Sequence, residues 1–188
     1  MWSNAQKPPT YCYIVTFAQS CAAKLIDFNS RQAHLERRMI RVHGTAIALG
    51  GEGVLLRGPS GAGKSDFALR LIDQGARLVA DDQTELRRDG DDIIMSAPAA
   101  IAGQMEVRGL GIVSVPHLTA APLRLVVDLM PSADIERMPE PRSASFLDRM
   151  VPAVALAPFE ASASAKLRLA LRSLAQATLS PAKAAVPS

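Results

Sequence analysis

Gly53-Val54-Leu55-Leu56-Arg57-Gly58-Pro59-Ser60-Gly61-Ala62-Gly63-Lys64-Ser65 is the stretch on which the fold turns. Its apolar run, Val54 to Leu56, reads as a buried strand that enters a glycine-rich turn without a break. Beyond the turn, Phe67, Ala68, Leu71 and Ile72 recur at the spacing of one helix face. Ser65, Asp66, Arg70 and Asp73 fall mostly on the other face, and Gly75 stands where such a helix should stop. The spacing predicts a helix over 64–74. Ala76 to Ala80 follows as another strand and ends in Asp81-Asp82. Strand, glycine turn, helix and strand in this order predict an α/β domain.

Outward from this centre the text is richer in strands than in helices. Ile40 to Val42 and Thr45 to Leu49 read as short strands, with Gly44 and Gly50-Gly51 as punctuation. Strand-like pieces recur around 84–87, 92–95 and 104–107, and Leu123 to Leu129 is the longest β-like run. So many short strands imply a mixed, many-stranded sheet. Residues 131–152 are rich in Pro, charge and small side chains, and read as a long mobile loop. Over 162–177 a second helix is expected, because Leu167, Ala170, Leu171 and Leu174 form an i, i+3, i+4, i+7 stripe. The domain is expected to run over 39–180, with 1–38 as an extension holding a short helix near 29–38, and 181–188 as a frayed tail.

Composition narrows the function. The chain has 188 residues and a formal charge of +3, with 21 basic residues scattered rather than clustered. A phosphate-tracking nucleic-acid protein would gather that charge, so no nucleic-acid partner is expected. No stretch reaches the ~18 apolar residues of a spanning helix, so no membrane role is expected either. Cys12 and Cys21 have neither the spacing nor the His neighbours of a zinc site or disulfide framework. The apolar run Tyr11 to Phe17 only faintly imitates a leader, and a reducing, cytoplasmic setting is the expectation.

Gly58 to Ser65 fits G-x-x-x-x-G-K-[ST] at every fixed position. Each position has a reason. The glycines let the backbone curl, so that the N–H groups of Pro59-Ser60-Gly61-Ala62-Gly63-Lys64-Ser65, proline excepted, can converge on phosphate oxygens. The helix that follows adds its N-terminal partial charge, Lys64 bridges the outer phosphates, and the Ser65 hydroxyl ligates Mg²⁺. A carboxylate must work with this loop, and two places offer one. Asp128 ends Leu123 to Val127, as the metal-side carboxylate of a generic ATPase does. Asp81 and Asp82 end the strand just after the loop's helix, and adjacent carboxylates there can divide proton transfer from metal binding. An isolated Asp-Asp is ordinarily a polar strand exit; its place beside the phosphate loop favours the functional reading.

At these residues the chain resembles the bacterial HPr kinase/phosphorylases. The resemblance is carried by the phosphate loop, by Leu78-Val79-Ala80-Asp81-Asp82, and by Met105-Glu106-Val107-Arg108-Gly109-Leu110-Gly111-Ile112, which is similar to the family's E-[IV]-R-G-[LIM]-G. His43-Gly44, 15 residues before Gly58, is a fourth point. Such a resemblance implies MgATP-dependent phosphorylation of a serine of the phosphocarrier HPr, and a reverse reaction in which inorganic phosphate removes the group as pyrophosphate. It implies Asp81 as general base, Asp82 and Ser65 with Glu106 as metal ligands, and His43 near the phosphates, tuning Asp81. It also implies kinship with phosphoenolpyruvate carboxykinase nucleotide domains and a hexameric homo-oligomer. The first 38 residues are too few for the extra N-terminal domain of long members, so the expectation is a short form with the catalytic module alone. The family's P-G-R-N-type loop has no clean counterpart; Arg142 and Arg149 lie only in its general region, which weakens the implication for the reverse reaction. Two other functions fit the same loop. A small-molecule kinase would use a metabolite acceptor and lean on Asp128, and a nucleotide sensor would bind ATP without turnover.

Overall fold

Asp128 and Arg57, 71 residues apart in the chain, face each other across two parallel strands at the centre of the sheet. The computed structural model describes residues 38–179. The expected extension with its helix near 29–38, both cysteines, and the tail from Ser180 lie outside these residues, Arg38 apart. Eleven strands and two longer helices are described: β1 (Met39–His43), β2 (Thr45–Leu49), β3 (Glu52–Arg57), α1 (Lys64–Asp73), β4 (Arg77–Ala80), β5 (Gln83–Asp89), β6 (Asp92–Ser96), β7 (Gln104–Val107), β8 (Gly111–Ser114), β9 (Ala120–Leu129), β10 (Arg142–Phe146), β11 (Arg149–Leu156) and α2 (Ala163–Leu179). The architecture is α/β with a mixed sheet, as expected. Nine strands join, in the order β1-β5-β6-β9-β3-β2-β4, with β11 on β9 and β10 on β11. β9 runs parallel to both β3 and β11; the other pairings are antiparallel. β7 and β8 form a separate hairpin.

The central strands are covered on both faces, which is why β2, β3 and β9 read as near-continuous apolar runs rather than alternating ones. From β3, Val54 and Leu56 point to the helices and meet Phe67, Ala68, Leu71 and Leu167. Leu55, between them, points the other way, into a cluster with Leu86, Met95, Val126 and Phe146. Phe67 and Leu71 are fully buried, each worth about 1.5–3 kcal/mol over an exposed side chain. This fixes α1 on the sheet, and with it the turn that precedes α1.

One expectation is corrected. Residues 131–152 are not a long loop: all of β10 and the start of β11 lie there, and β11 continues to Leu156 beside β9. The hairpin turn is Leu147-Asp148, both with positive φ (49° and 63°). A two-residue turn of that kind is normally announced by Asn-Gly or Gly. Here Leu147 is held instead by its own burial in the core. Pro152, another apparent strand breaker, pairs with Ser143 one residue before β11 joins β9 at Ala153, so its missing N–H costs the central ladder nothing. β8 is not announced by the sequence either, since Gly109 and Gly111 at its start resemble a turn.

Candidate active site

The end of β3, the start of α1 and the end of β4 meet at one edge of the sheet. Between β3 and α1 the glycine-rich loop ends at Gly63, with φ 85°, and α1 starts there without a side-chain cap. Its first N–H groups are thus left to whatever occupies the loop. Lys64 is almost wholly buried, and its Nζ donates to the carbonyl oxygens of Gly58 and Pro59, 3.0 Å each. The ammonium therefore closes the loop on itself.

Asp81 and Asp82 part company at the strand end. Asp82 has a φ of 62°, and the Gln83 N–H returns to the Asp81 carbonyl at 2.7 Å. A non-glycine residue in this region is strained, a common mark of functional sites. The kink sends one carboxylate inward and the other outward. Asp81 is buried; its Oδ1 accepts from Thr45 Oγ1 (2.9 Å) and Ser65 Oγ (3.1 Å), and its Oδ2 from the Glu106 N–H (3.2 Å). Asp82 is exposed, and His43 Nδ1 lies 3.2 Å from its Oδ1. The resemblance pairs Ser65 with Asp82 and His43 with Asp81; the observed contacts run the other way, Ser65 to Asp81 and His43 to Asp82.

Gly44 explains how His43 is placed. Its N–H donates to the Asp82 carbonyl (3.0 Å) and its own carbonyl accepts from Thr84 Oγ1 (2.9 Å). A Cβ at this position would lie 2.8 Å from the Leu56 carbonyl oxygen, so only glycine lets β1 and β2 turn this close to β3. Glu106 arrives by a third route: Met105 is buried among the residues packed around α1, and strand alternation turns Glu106 outward.

His43, Ser60, Gly61, Gly63, Lys64, Ser65, Asp81, Asp82 and Glu106 line one cavity of about 490 Å³. Those nine residues, drawn from four stretches of the chain, include every expected catalytic and metal residue. Thr45 was missed, although a lone hydroxyl inside the apolar strand Thr45-Ala46-Ile47-Ala48-Leu49 was a signal that it served a buried partner. Replacing it by Val is expected to cost about 1–2 kcal/mol, the price of an unmet buried hydrogen bond; urea denaturation would measure this. A larger groove, about 1050 Å³, lies elsewhere, beside β11 and α2. Most of its charges are paired: Arg124 bonds Asp92 and Glu52, and Arg149 bonds Asp91. The bonds that Arg124 donates, first that to Asp92 and then that to Glu52, hold its guanidinium above its ordinary pKa.

Besides the His43 imidazole, which faces Asp82, the side chains that could hold a metal in the 490 Å³ cavity offer hydroxyl and carboxylate oxygens. Among the described residues no group of three or more His, Cys, Asp or Glu converges to hold a metal ion. Magnesium suits such a set, since it usually takes one or two carboxylates together with substrate phosphates and water. Asp128 stands outside the cavity, bonded by Arg57 Nε (2.9 Å) and Nη2 (2.7 Å), with Arg142 3.9 Å away.

The profile of the HPr Serine kinase C-terminal domain matches residues 35–152, well over half the chain. The chain belongs to this family. The HPr kinase/phosphorylase of Exiguobacterium is 46% identical over 84 residues, 44% of this chain and 27% of that protein. That of Clostridium tetani is 47% identical over 78 residues, and that of Peptoclostridium acidaminophilum 40% over 112. The chain thus spans about a quarter to a third of the length of the curated relatives it matches. The solved HPr(Ser) kinase/phosphatase of Coxiella burnetii superposes with a TM-score of 0.67 at 23% identity, over 75% of this chain and 99% of that one. It shares the fold. Within the HPr kinase match lie the glycine-rich loop, His43, Asp81, Asp82 and Glu106; residues 153–179, including α2 and the segment leading to it, lie beyond it.

Proposed function

We propose that this chain is a protein-serine kinase that transfers the γ-phosphoryl group of ATP, with Mg²⁺, to a serine hydroxyl of an HPr-like phosphocarrier. What carries the reading is the convergence of Lys64, Ser65, Asp81, Asp82, His43 and Glu106 on one cavity at the end of the glycine-rich loop. Phosphoryl transfer asks mainly for positioning and charge neutralisation, which such a set can supply. The backbone N–H groups of the loop and the start of α1 receive the phosphates, and Lys64 turns from the carbonyls of Gly58 and Pro59 to the outer phosphate oxygens. Asp81 takes the proton of the attacking serine hydroxyl as the O–P bond forms and the bond to the ADP oxygen breaks. Ser65, Asp82 and Glu106 would hold magnesium, which neutralises the charge on the phosphates when bound. His43, against Asp82, orients that carboxylate. The reading includes kinship with phosphoenolpyruvate carboxykinase nucleotide domains, a homo-oligomeric ring and a cytoplasmic setting; the reverse, phosphate-dependent reaction would use the same atoms.

The test is an assay of the purified chain with HPr and γ-labelled MgATP, run in reverse with seryl-phosphorylated HPr and inorganic phosphate. Label on a serine is the expected result; ATP hydrolysis or binding with no transfer to HPr would overturn it. The competing small-molecule kinase would need Asp128 at the metal, and its pair with Arg57 speaks against that. Asp128→Asn is expected to lower stability by about 1 kcal/mol, for loss of a half-buried charged bond, and to leave the magnesium dependence of ATP binding unchanged. Calorimetric titration at several Mg²⁺ concentrations would check it.

A further inference from the structure

Phe159 is an anomaly of burial. It follows Pro158, which is buried, yet its own residue surface is 71% exposed. An apolar ring held in water forgoes most of the stabilisation that burial of such a side chain gives, so its position needs a cause. The ring lines the same cavity as Ser60, Gly61, Gly63 and Lys64. It lies on the last glycine of the loop: a Cβ at Gly63 would sit 2.8 Å from Cζ of the ring and 3.3 Å from both Cε atoms. Gly63 is therefore doubly constrained, by its φ of 85° and by the ring above it.

The segment that presents the ring is braced from two sides. Arg70 Nη2 donates to the Pro158 carbonyl at 2.6 Å, while the same guanidinium bonds Asp66 and lies 5.2 Å from the Phe67 ring centroid. The helix that begins at the loop thus holds the backbone next to Phe159. On the other side, Glu160 accepts from Lys166 of α2 and from Ser132 Oγ. Those bonds, first that from Lys166, hold its carboxyl below the usual range. An exposed aromatic ring on a rigid support, at the rim of a phosphate-shaped loop, is prepared for a flat partner; little ordering entropy remains to be lost when one arrives.

We propose that Phe159 is the platform for the nucleobase, stacking on the purine ring of the nucleotide whose phosphates the loop receives. This rests on the ATP reading above and adds to it what recognises the base. The chemistry restricts the candidates. Among the described residues lining the cavity, the two rings are Phe159 and His43, and His43 is engaged with Asp82 at the carboxylate end. Stacking on a Phe face is also tolerant of base identity, since every base has a π-face. The platform would therefore raise affinity for purine nucleotides generally rather than select adenine.

Binding of ATP, ADP and base-free tripolyphosphate, each with Mg²⁺, to the full chain and to Phe159→Ala and Phe159→Trp is the test. With Ala, ATP and ADP are expected to bind about tenfold more weakly, and tripolyphosphate as before. With Trp, ATP affinity returns, and the added fluorescence, read against the parent with its single Trp2, is quenched by ATP and not by tripolyphosphate. Equal weakening of ATP and tripolyphosphate by the Ala variant would overturn the proposal and make the ring a support for the loop. No change in either would overturn it as well. A parent chain that binds tripolyphosphate no less tightly than ATP would remove the base from recognition altogether. If instead ATP binds through Phe159 but HPr accepts no phosphate, the platform stands and the kinase reading falls.

Discussion

Asp81→Asn is expected to slow phosphoryl transfer by about 10²–10⁴-fold, the usual contribution of a positioned general base, while nucleotide still binds. The structure makes this variant costly for stability too. Asp81 accepts three bonds on two oxygens, from Thr45, Ser65 and the Glu106 backbone. An amide can offer one oxygen only. If that oxygen keeps the two hydroxyls, the NH2 group meets the N–H of Glu106, donor against donor, and a buried unmet group costs about 1–3 kcal/mol. Asp82→Asn should behave differently. The side chain is 72% exposed and its contact is with His43, which an amide oxygen can still accept from, so stability should hardly move. On the proposed reading it would lose charge towards the metal, and the Mg²⁺ concentration for half-maximal rate should rise. Single-turnover rates across a magnesium series, with urea midpoints for each variant, separate the two. The opposite pattern, with Asp82→Asn silencing transfer and Asp81→Asn raising the magnesium requirement, would exchange their roles and follow the observed contacts of Ser65 with Asp81 and His43 with Asp82.

Much of the fold and site could be read from the residues because local and global preferences agree there. Val54 to Leu56, the loop and the Phe67–Ile72 face specify β3, the turn and α1 in succession, and nothing distant overrides them. Asp81 and Asp82 were legible by position, as a strand end beside that loop. Their division was not, since it depends on the positive φ of Asp82 and on Thr45 and Glu106, which approach from other strands. The hairpin of β10 and β11 was hidden for a related reason. Leu147 takes a left-handed conformation that its type disfavours, and only its burial against the far face of the sheet makes this acceptable. Asp128 is an alternative in the sequence for a similar reason: by its strand it could serve a metal, and only the parallel pairing of β3 with β9 reveals that Arg57 stands opposite it. Phe159 belongs to the same class, because an exposed ring has no periodicity, and its meaning lies in its contact with Gly63.

Lys64→Met is expected to weaken ATP and tripolyphosphate alike, by about a hundredfold, for the loss of two charge-assisted bonds at about 1.5 kcal/mol each. The fold should survive. Met fills most of the buried channel of the lysine stem, and the carbonyls released belong to Gly58 and Pro59, whose residues are partly or fully exposed and can be hydrated. Transfer should fall further than binding, because a cation aimed at the outer phosphate does most when charge develops there in the transition state. Lys64→Arg should not restore either: its planar fork cannot both fit the closed loop and act as a compact point charge. Set beside the Phe159 variants, this separates the parts of the cavity. Loss at Lys64 is shared by ligands with and without a base, whereas loss at Phe159 falls on base-bearing ligands alone. Calorimetry with ATP and tripolyphosphate on Lys64→Met would read it directly, and undiminished tripolyphosphate affinity would mean that the loop between β3 and α1 is not where the phosphates sit.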